Sequence, residues 1–180
     1  TGGAAGKTSD ELFSVASELQ KITRFGDEKI LNEVTAQLLT FTNIADDNFM
    51  RTQEIALDLA TVLDGDLKSA SIQLGKALND PVKNLSALSR SGIQFSKEQT
   101  DTIKSLAETN RLAEAQGIIL DELSRQYGGQ AKAAVEAGTG AFIQLGNTLG
   151  DVKEIMGKKL LDRLNPLVKR INDFVQANID

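Results

Sequence analysis

The sequence predicts an all-α fold, with a compact bundle of short helices over residues 9–129 and a long amphipathic helical segment over residues 130–180. Apolar residues recur at intervals of three and four positions along almost the whole chain, which is the spacing of one helix face. No run of alternating β-branched residues is bounded by hairpin turns, as strands would require. Aromatic residues make up only 4% of the chain and Trp is absent, so the core must consist mainly of Leu, Ile, Val and Ala.

The chain opens with TGGAAGKTSDEL, in which the GKT at residues 6–8 is the ending of a phosphate-binding loop. Such a loop has another glycine five positions earlier, where this chain has Thr1, and it follows a strand. Thr8 and Glu11 have the spacing of a capping box, which satisfies free N–H groups at the start of a helix. We therefore predict a flexible lead-in over residues 1–8, a first helix capped by Thr8, and no nucleotide binding.

Start and stop signals divide the bundle into short helices. Gly26 is predicted to be the left-handed end of the first helix, and Asp27 the cap of the second. The NDP at residues 79–81 ends a helix, because the residue before a proline avoids helical geometry, and Pro81 fits the first position of the next helix. The connections are short, so we expect neighbouring helices to pack together. The other predicted boundaries are Asp46 with Asp47, Gly65, Asp66, Ser96 to Gln99, residues 108–110, and Gly128 with Gly129.

From residue 130 onward the side chains are small at first and then form an amphipathic pattern that continues to the end. Its apolar stripe has a heptad-like spacing with a four-residue insertion near Met156 to Leu160, and it is the candidate helix-packing or partner face. The segment is kinked or broken near Pro166: either Asn165 caps a separate final helix, or the proline kinks one long helix. The stripe either packs on the preceding bundle or pairs with another chain. Its members are Leu145, Leu149, Val152, Met156, Leu160, Leu164, Leu167, Ile171 and Phe174.

Composition excludes several classes of site. His and Cys are both absent, so the chain can form no Ser-His-Asp or Cys-His centre, no thiolate zinc site and no disulfide. Its net charge of −5 argues against nonspecific binding to nucleic acid. No apolar run approaches membrane-spanning length. We therefore expect no catalytic, cofactor-binding or metal site, no specific nucleic-acid binding and no membrane span.

The stretch LGKALNDPVKNLSALSRSGIQFSKEQTDTIKSLAETNRLAEAQGIILDELSRQYGG, residues 74–129, closely resembles the tail-length tape measure proteins of phages and prophages. Its most specific pieces are ALNDPVKNL, LSRSGIQFS and AQGIILDEL. The upstream TRFGDEKILNEVTAQLLTF and ALDLATVLDGDLKSASIQLGKAL resemble the same family in the same order. The resemblance extends over residues 9–167.

This resemblance implies a structural role. Tape measure proteins are long, mostly helical chains that occupy the lumen of a phage tail during assembly, and their length sets the tail length. The implied partners are tail tube subunits, tail assembly chaperones and tail tip proteins, with self-association as a further expectation. The implied location is the virion tail, preceded by the host cytoplasm during assembly. Because a ruler should be extended, we expect the bundle to be a folded module, with extended helix resuming after residue 138.

Two other functions are weighed against this one. A helical peptidoglycan hydrolase needs a buried catalytic Glu in a groove with aromatic side chains. Glu108 and Glu114 are loosely placed for that role, and the one Tyr gives little surface for stacking on a sugar. The third alternative is a nonspecific DNA binder that helps ejection, against which the acidic net charge argues.

Overall fold

Helices form all the regular secondary structure of the residues that this computed structural model describes, namely 5–63, 66–90, 92–137 and 140–177. No strand occurs within these ranges, so the predicted all-α fold is confirmed. The helices are α1 Ser9–Ile22, α2 Asp27–Ile30, a π-helical turn Leu31–Thr35, α3 Ala36–Leu38, α4 Asp46–Val62, α5 Leu67–Asn79, α6 Pro81–Arg90, α7 Lys97–Glu108, α8 Leu112–Tyr127, α9 Gln130–Glu136 and α10 Gly140–Ala177.

Two helices begin with the capping boxes that the sequence predicts. The hydroxyl of Thr8 accepts the Glu11 N–H at 3.3 Å, and the Glu11 carboxylate accepts the Thr8 N–H at 2.7 Å. Ser96 and Gln99 make the same reciprocal pair at the start of α7, at 3.1 and 2.8 Å. Each box satisfies two N–H groups that a helix start leaves without an internal partner.

The junction between α1 and α2 differs from the prediction. Gly26 has a φ of −71° and is the N-cap of α2, so it is not a left-handed helix end. Helix α1 ends at Ile22, and its C-cap Thr23 is extended. The Thr23 hydroxyl donates to the Leu19 carbonyl at 2.9 Å, which satisfies one of the last carbonyls of α1 without a glycine.

The start of the chain is joined to the bundle from Ala5 onward. Ala5 is buried, and its carbonyl accepts the N–H of Asp46 at 3.0 Å, where α4 begins. Gly6 follows in the left-handed region with a φ of +69°, which a glycine adopts at little cost. The lead-in predicted over residues 1–8 therefore includes packed residues, and its first four residues lie outside the described part.

Helix α4 lies at the centre of the bundle, because it contacts α5, α8, α9 and the π-helical turn. Nine of its residues are buried, including Phe49 and Leu59. Two apolar residues near helix ends, Ile22 and Val62, are exposed. The largest fully buried side chains are Phe49, Ile30, Leu38, Ile44, Leu57, Leu59, Leu67, Leu74, Leu78, Leu88, Ile93 and Ile103.

The chain divides into two compact units, Thr1–Gln144 and Leu145–Asp180. Helix α9 packs on α4 and belongs to the first of these units. The side-chain amide of Gln144 donates to the Lys21 carbonyl at 2.6 Å, still within that unit. Helix α10 spans 38 residues and continues through Pro166, so it is not broken there into two helices.

Candidate functional site

The predicted partner face is exposed over the part of α10 whose side chains the structure describes. Five of its nine residues are described, and their exposed fractions run from 46% for Val152 to 66% for Met156. The side chains of Leu164, Leu167, Ile171 and Phe174 lie outside the described part. We define the α10 stripe as the described residues Leu145, Leu149, Val152, Met156 and Leu160.

The α10 stripe is narrow. At 3.6 residues per turn its five side chains fall within an arc of about 80°, and the stripe is about 22 Å long at a rise of 1.5 Å per residue. Lys153 and Lys159 each lie about 20° beyond one edge of this arc. Both lysines are exposed, and neither takes part in an ion pair within the described residues. The stripe is therefore an apolar surface bordered by positive charge.

The second apolar surface is a groove at the start of the chain, with a volume of about 660 Å³. Its walls come from the entry to α1 and from the helical run that contains the π-helical turn. Phe13 lies in this wall and is 60% exposed, which is unusual for an aromatic residue in a bundle. We define the N-terminal groove by its lining residues Gly6, Lys7, Thr8, Ser9, Leu12, Phe13, Leu31, Thr35, Ala36 and Leu39.

The N-terminal groove contains the GKT string, but its geometry is not that of a phosphate-binding loop. Thr8 is occupied in the capping box, and no strand precedes it within the described residues. The groove wall is mainly aliphatic beyond this string. This surface suits apolar side chains more than a phosphate, which needs a row of free N–H groups.

Asp58 is a buried carboxylate that the sequence did not single out. Its two oxygens accept the backbone N–H groups of Gly129 at 3.0 Å and Ala131 at 2.8 Å, so it caps α9 from a distant helix. Burial raises the pKa of Asp58 above its ordinary value, and the hydrogen bonds from the start of α9 lower it by less. The sequence feature that could have identified Asp58 is the presence of an Asp in the mainly apolar segment IALDLATV, residues 55–62.

Glu122 forms the other buried acidic centre. Its side chain is 7% exposed, and it accepts hydrogen bonds from Arg125, Gln126 and, at 2.9 Å, from Gln99. These donors, Arg125 first, lower the pKa of Glu122 to about 2. The ionised form is thus held by α7 and α8 together, which is a structural arrangement and not that of a proton donor.

The two carboxylates considered for peptidoglycan hydrolysis are exposed, whereas a general acid of this kind is buried. Glu108 is exposed at the end of α7, and Glu114 is exposed on α8. The Arg111 guanidinium donates to Glu114 at 2.7 and 2.5 Å and lowers its pKa. A general acid requires a raised pKa, which burial supplies in known sites.

Within the described ranges no group of three potential metal-ligating side chains is assembled, and no helix is long and apolar enough to cross a membrane. The geometry therefore offers two apolar surfaces, the α10 stripe and the N-terminal groove, as the features available to a partner. Comparison of the chain with protein-family models, curated proteins and solved structures found no match.

Proposed function

We propose that the chain is a segment of a phage or prophage tape measure protein, a structural component that sets tail length during assembly. The observation that carries the proposal is α10, a continuous helix of 38 residues whose described apolar side chains are exposed. At 1.5 Å per residue such a helix is about 57 Å long. An extended helix of this kind suits a ruler whose own length sets the length of the tail. The resemblance of residues 74–129 supports the same assignment.

In this role the exposed apolar stripe is available to the partners that the resemblance implies, namely tail tube subunits, tail assembly chaperones and tail tip proteins. The proposed location is the tail of the virion, reached from the host cytoplasm during assembly. The bundle is then a folded module that precedes a rod-like segment in the same ruler.

The test lengthens α10 in the full-length protein of the phage or prophage that encodes it. Three helical heptads are inserted after Gly157, and tail lengths are measured by electron microscopy. If the chain is a ruler, the tails lengthen by about 1.5 Å per inserted residue, the rise of an α-helix. The matched control replaces the same number of α10 residues by the inserted sequence, so that chain length is unchanged and tail length should be too. If the insertion variant assembles tails of the parental length, the proposal is contradicted.

A further inference from the structure

The α10 stripe and the N-terminal groove are both apolar and both exposed, and they lie on different compact units of the chain. We propose that the N-terminal groove of one copy binds the α10 stripe of a second copy, so that copies of this chain join head to tail. This inference concerns association between copies and does not depend on the ruler function.

The shapes of the two surfaces fit a helix that lies in a groove. Side chains spaced by three and four residues on one helix face are what such grooves recognise. The N-terminal groove, at about 660 Å³, has the volume of an ordinary binding cleft. It is therefore large enough for a few neighbouring side chains of the stripe, while the rest of the stripe extends past it. Phe13 and Leu39 supply apolar walls for those side chains.

The two parts of the chain that carry these surfaces have net charges of opposite sign. Residues 1–139 contain 14 Lys or Arg and 20 Asp or Glu, whereas residues 140–177 contain six Lys or Arg and four Asp or Glu. Beside the groove, the first turn of α1 carries Asp10 and Glu11, and one lysine, Lys7, lies in the groove wall. The net charge of these three side chains is thus −1. The α10 stripe instead presents lysines at both edges.

The same lysines argue against a symmetric contact between two α10 stripes. In such a contact Lys153 and Lys159 of both copies would border one seam, and like charges that face each other across a helix pair are destabilising. The acidic residues Asp151 and Glu154 are more than about 100° from the centre of the stripe and so are remote from that seam. Binding to the N-terminal groove instead brings the stripe lysines near Asp10 and Glu11, which lie beside the groove. Because stripe and groove are different surfaces, the contact is heterologous and can propagate into an open chain of copies.

The experiment measures the mass of the purified chain by sedimentation equilibrium over a range of concentrations. A groove variant, Phe13→Glu, and a stripe variant, Leu149→Glu with Met156→Glu, each alter exposed side chains, so circular dichroism should show an unchanged helix content. Matched controls are Val82→Glu for the groove and Ile143→Glu for the stripe, because both residues are exposed and apolar but belong to neither surface. The parent and both controls should associate beyond the dimer as concentration rises.

Each variant alone should be monomeric at concentrations where the parent associates, a weakening of at least about tenfold, which corresponds to the loss of a few apolar contacts. An equimolar mixture of the two variants should form a one-to-one dimer and nothing larger, because one intact groove then meets one intact stripe. A parent that stays monomeric overturns the proposal. So does a groove variant that associates like the parent, which would indicate contact between stripes, or a mixture of the two variants that stays monomeric.

Discussion

Two glycines show how the surroundings of one residue decide its role. Gly75 lies inside α5 and is buried, and Gly117 lies inside α8. A Cβ added at Gly75 would overlap the ring of Phe41, whereas one added at Gly117 would meet no atom within 4 Å. Both positions have the same helical backbone, so only the packing around them distinguishes the two residues.

We predict that Gly→Ala substitutions at these positions have opposite effects on stability. Gly117→Ala should raise the free energy of unfolding by about 0.5–1 kcal/mol, the difference in helix propensity between the two residues. Gly75→Ala should lower it by about 1–2 kcal/mol, because the cost of displacing the Phe41 ring exceeds the same gain. Urea titration followed by circular dichroism measures both. A stabilised Gly75→Ala would mean that the ring moves aside freely.

At the scale of an element, α9 depends on a carboxylate from another helix. It has only seven residues and begins after Gly129. This N-cap residue has a φ of +81° and, being glycine, has no side chain that could cap the helix. Asp58 supplies the missing acceptors from α4, and the favourable interaction of an anion with a helix start adds to the two hydrogen bonds. A short helix with no cap of its own is thus held in place by long-range contacts.

We predict that Asp58→Asn removes one of these bonds, because an amide has a single acceptor oxygen where the carboxylate uses two. The backbone amide of Gly129 or Ala131 should then exchange with solvent faster, as measured by hydrogen exchange. Asp101→Asn is the control, since Asp101 is exposed on α7 and should leave exchange at α9 unchanged. Equal protection of α9 in both variants would contradict this role for Asp58.

The same substitution should change how stability depends on pH. The folded-state pKa of Asp58 is raised above the ordinary value of 3.8. Its contribution to stability is therefore fully present below that value and is lost as pH rises through the folded-state pKa, because ionisation then occurs in a buried site. Asn does not titrate. The free energy of unfolding of the parent relative to Asp58→Asn should accordingly fall as the pH rises above 3.8.

At the scale of the whole molecule, the core that the structure describes lies within the first compact unit. The buried apolar residues form one cluster that runs from Ala5 to Ala131. None of the side chains that the structure describes in the second unit, residues 145–180, belongs to that cluster. Helix α9 does contribute to the cluster, through Ala131. Removing α9 and removing the second unit should therefore change the free energy of unfolding by different amounts.

We predict that a chain ending at residue 144 keeps the stability of the bundle, with a change in the free energy of unfolding of less than about 1 kcal/mol. A chain ending at residue 129 should lose at least about 2 kcal/mol more, because Asp58 then loses its hydrogen bond from the Ala131 N–H and the core loses Ala131 together with the rest of α9. Urea denaturation of both truncations measures the difference. Equal stabilities of the two truncated chains would show that α9 does not stabilise the bundle.

The sequence by itself determined the features that depend on local order along the chain. Helix periodicity predicted the all-α class, and the spacings of Thr8 with Glu11 and Ser96 with Gln99 predicted both capping boxes, since each involves residues within one turn. It also placed Pro81 at a helix start and located the apolar stripe on α10.

Only the tertiary structure decided the features that depend on residues far apart in the chain. Asp58 meets α9 across 71 and 73 positions, and the Ala5 carbonyl meets the start of α4, so neither contact has a local signal. The end of α1 is similar, because Gly26 could equally close one helix or open the next. The N-terminal groove exists only where α1 packs beside the run that contains the π-helical turn. Periodicity identifies an apolar face, but the space around that face determines whether it is covered.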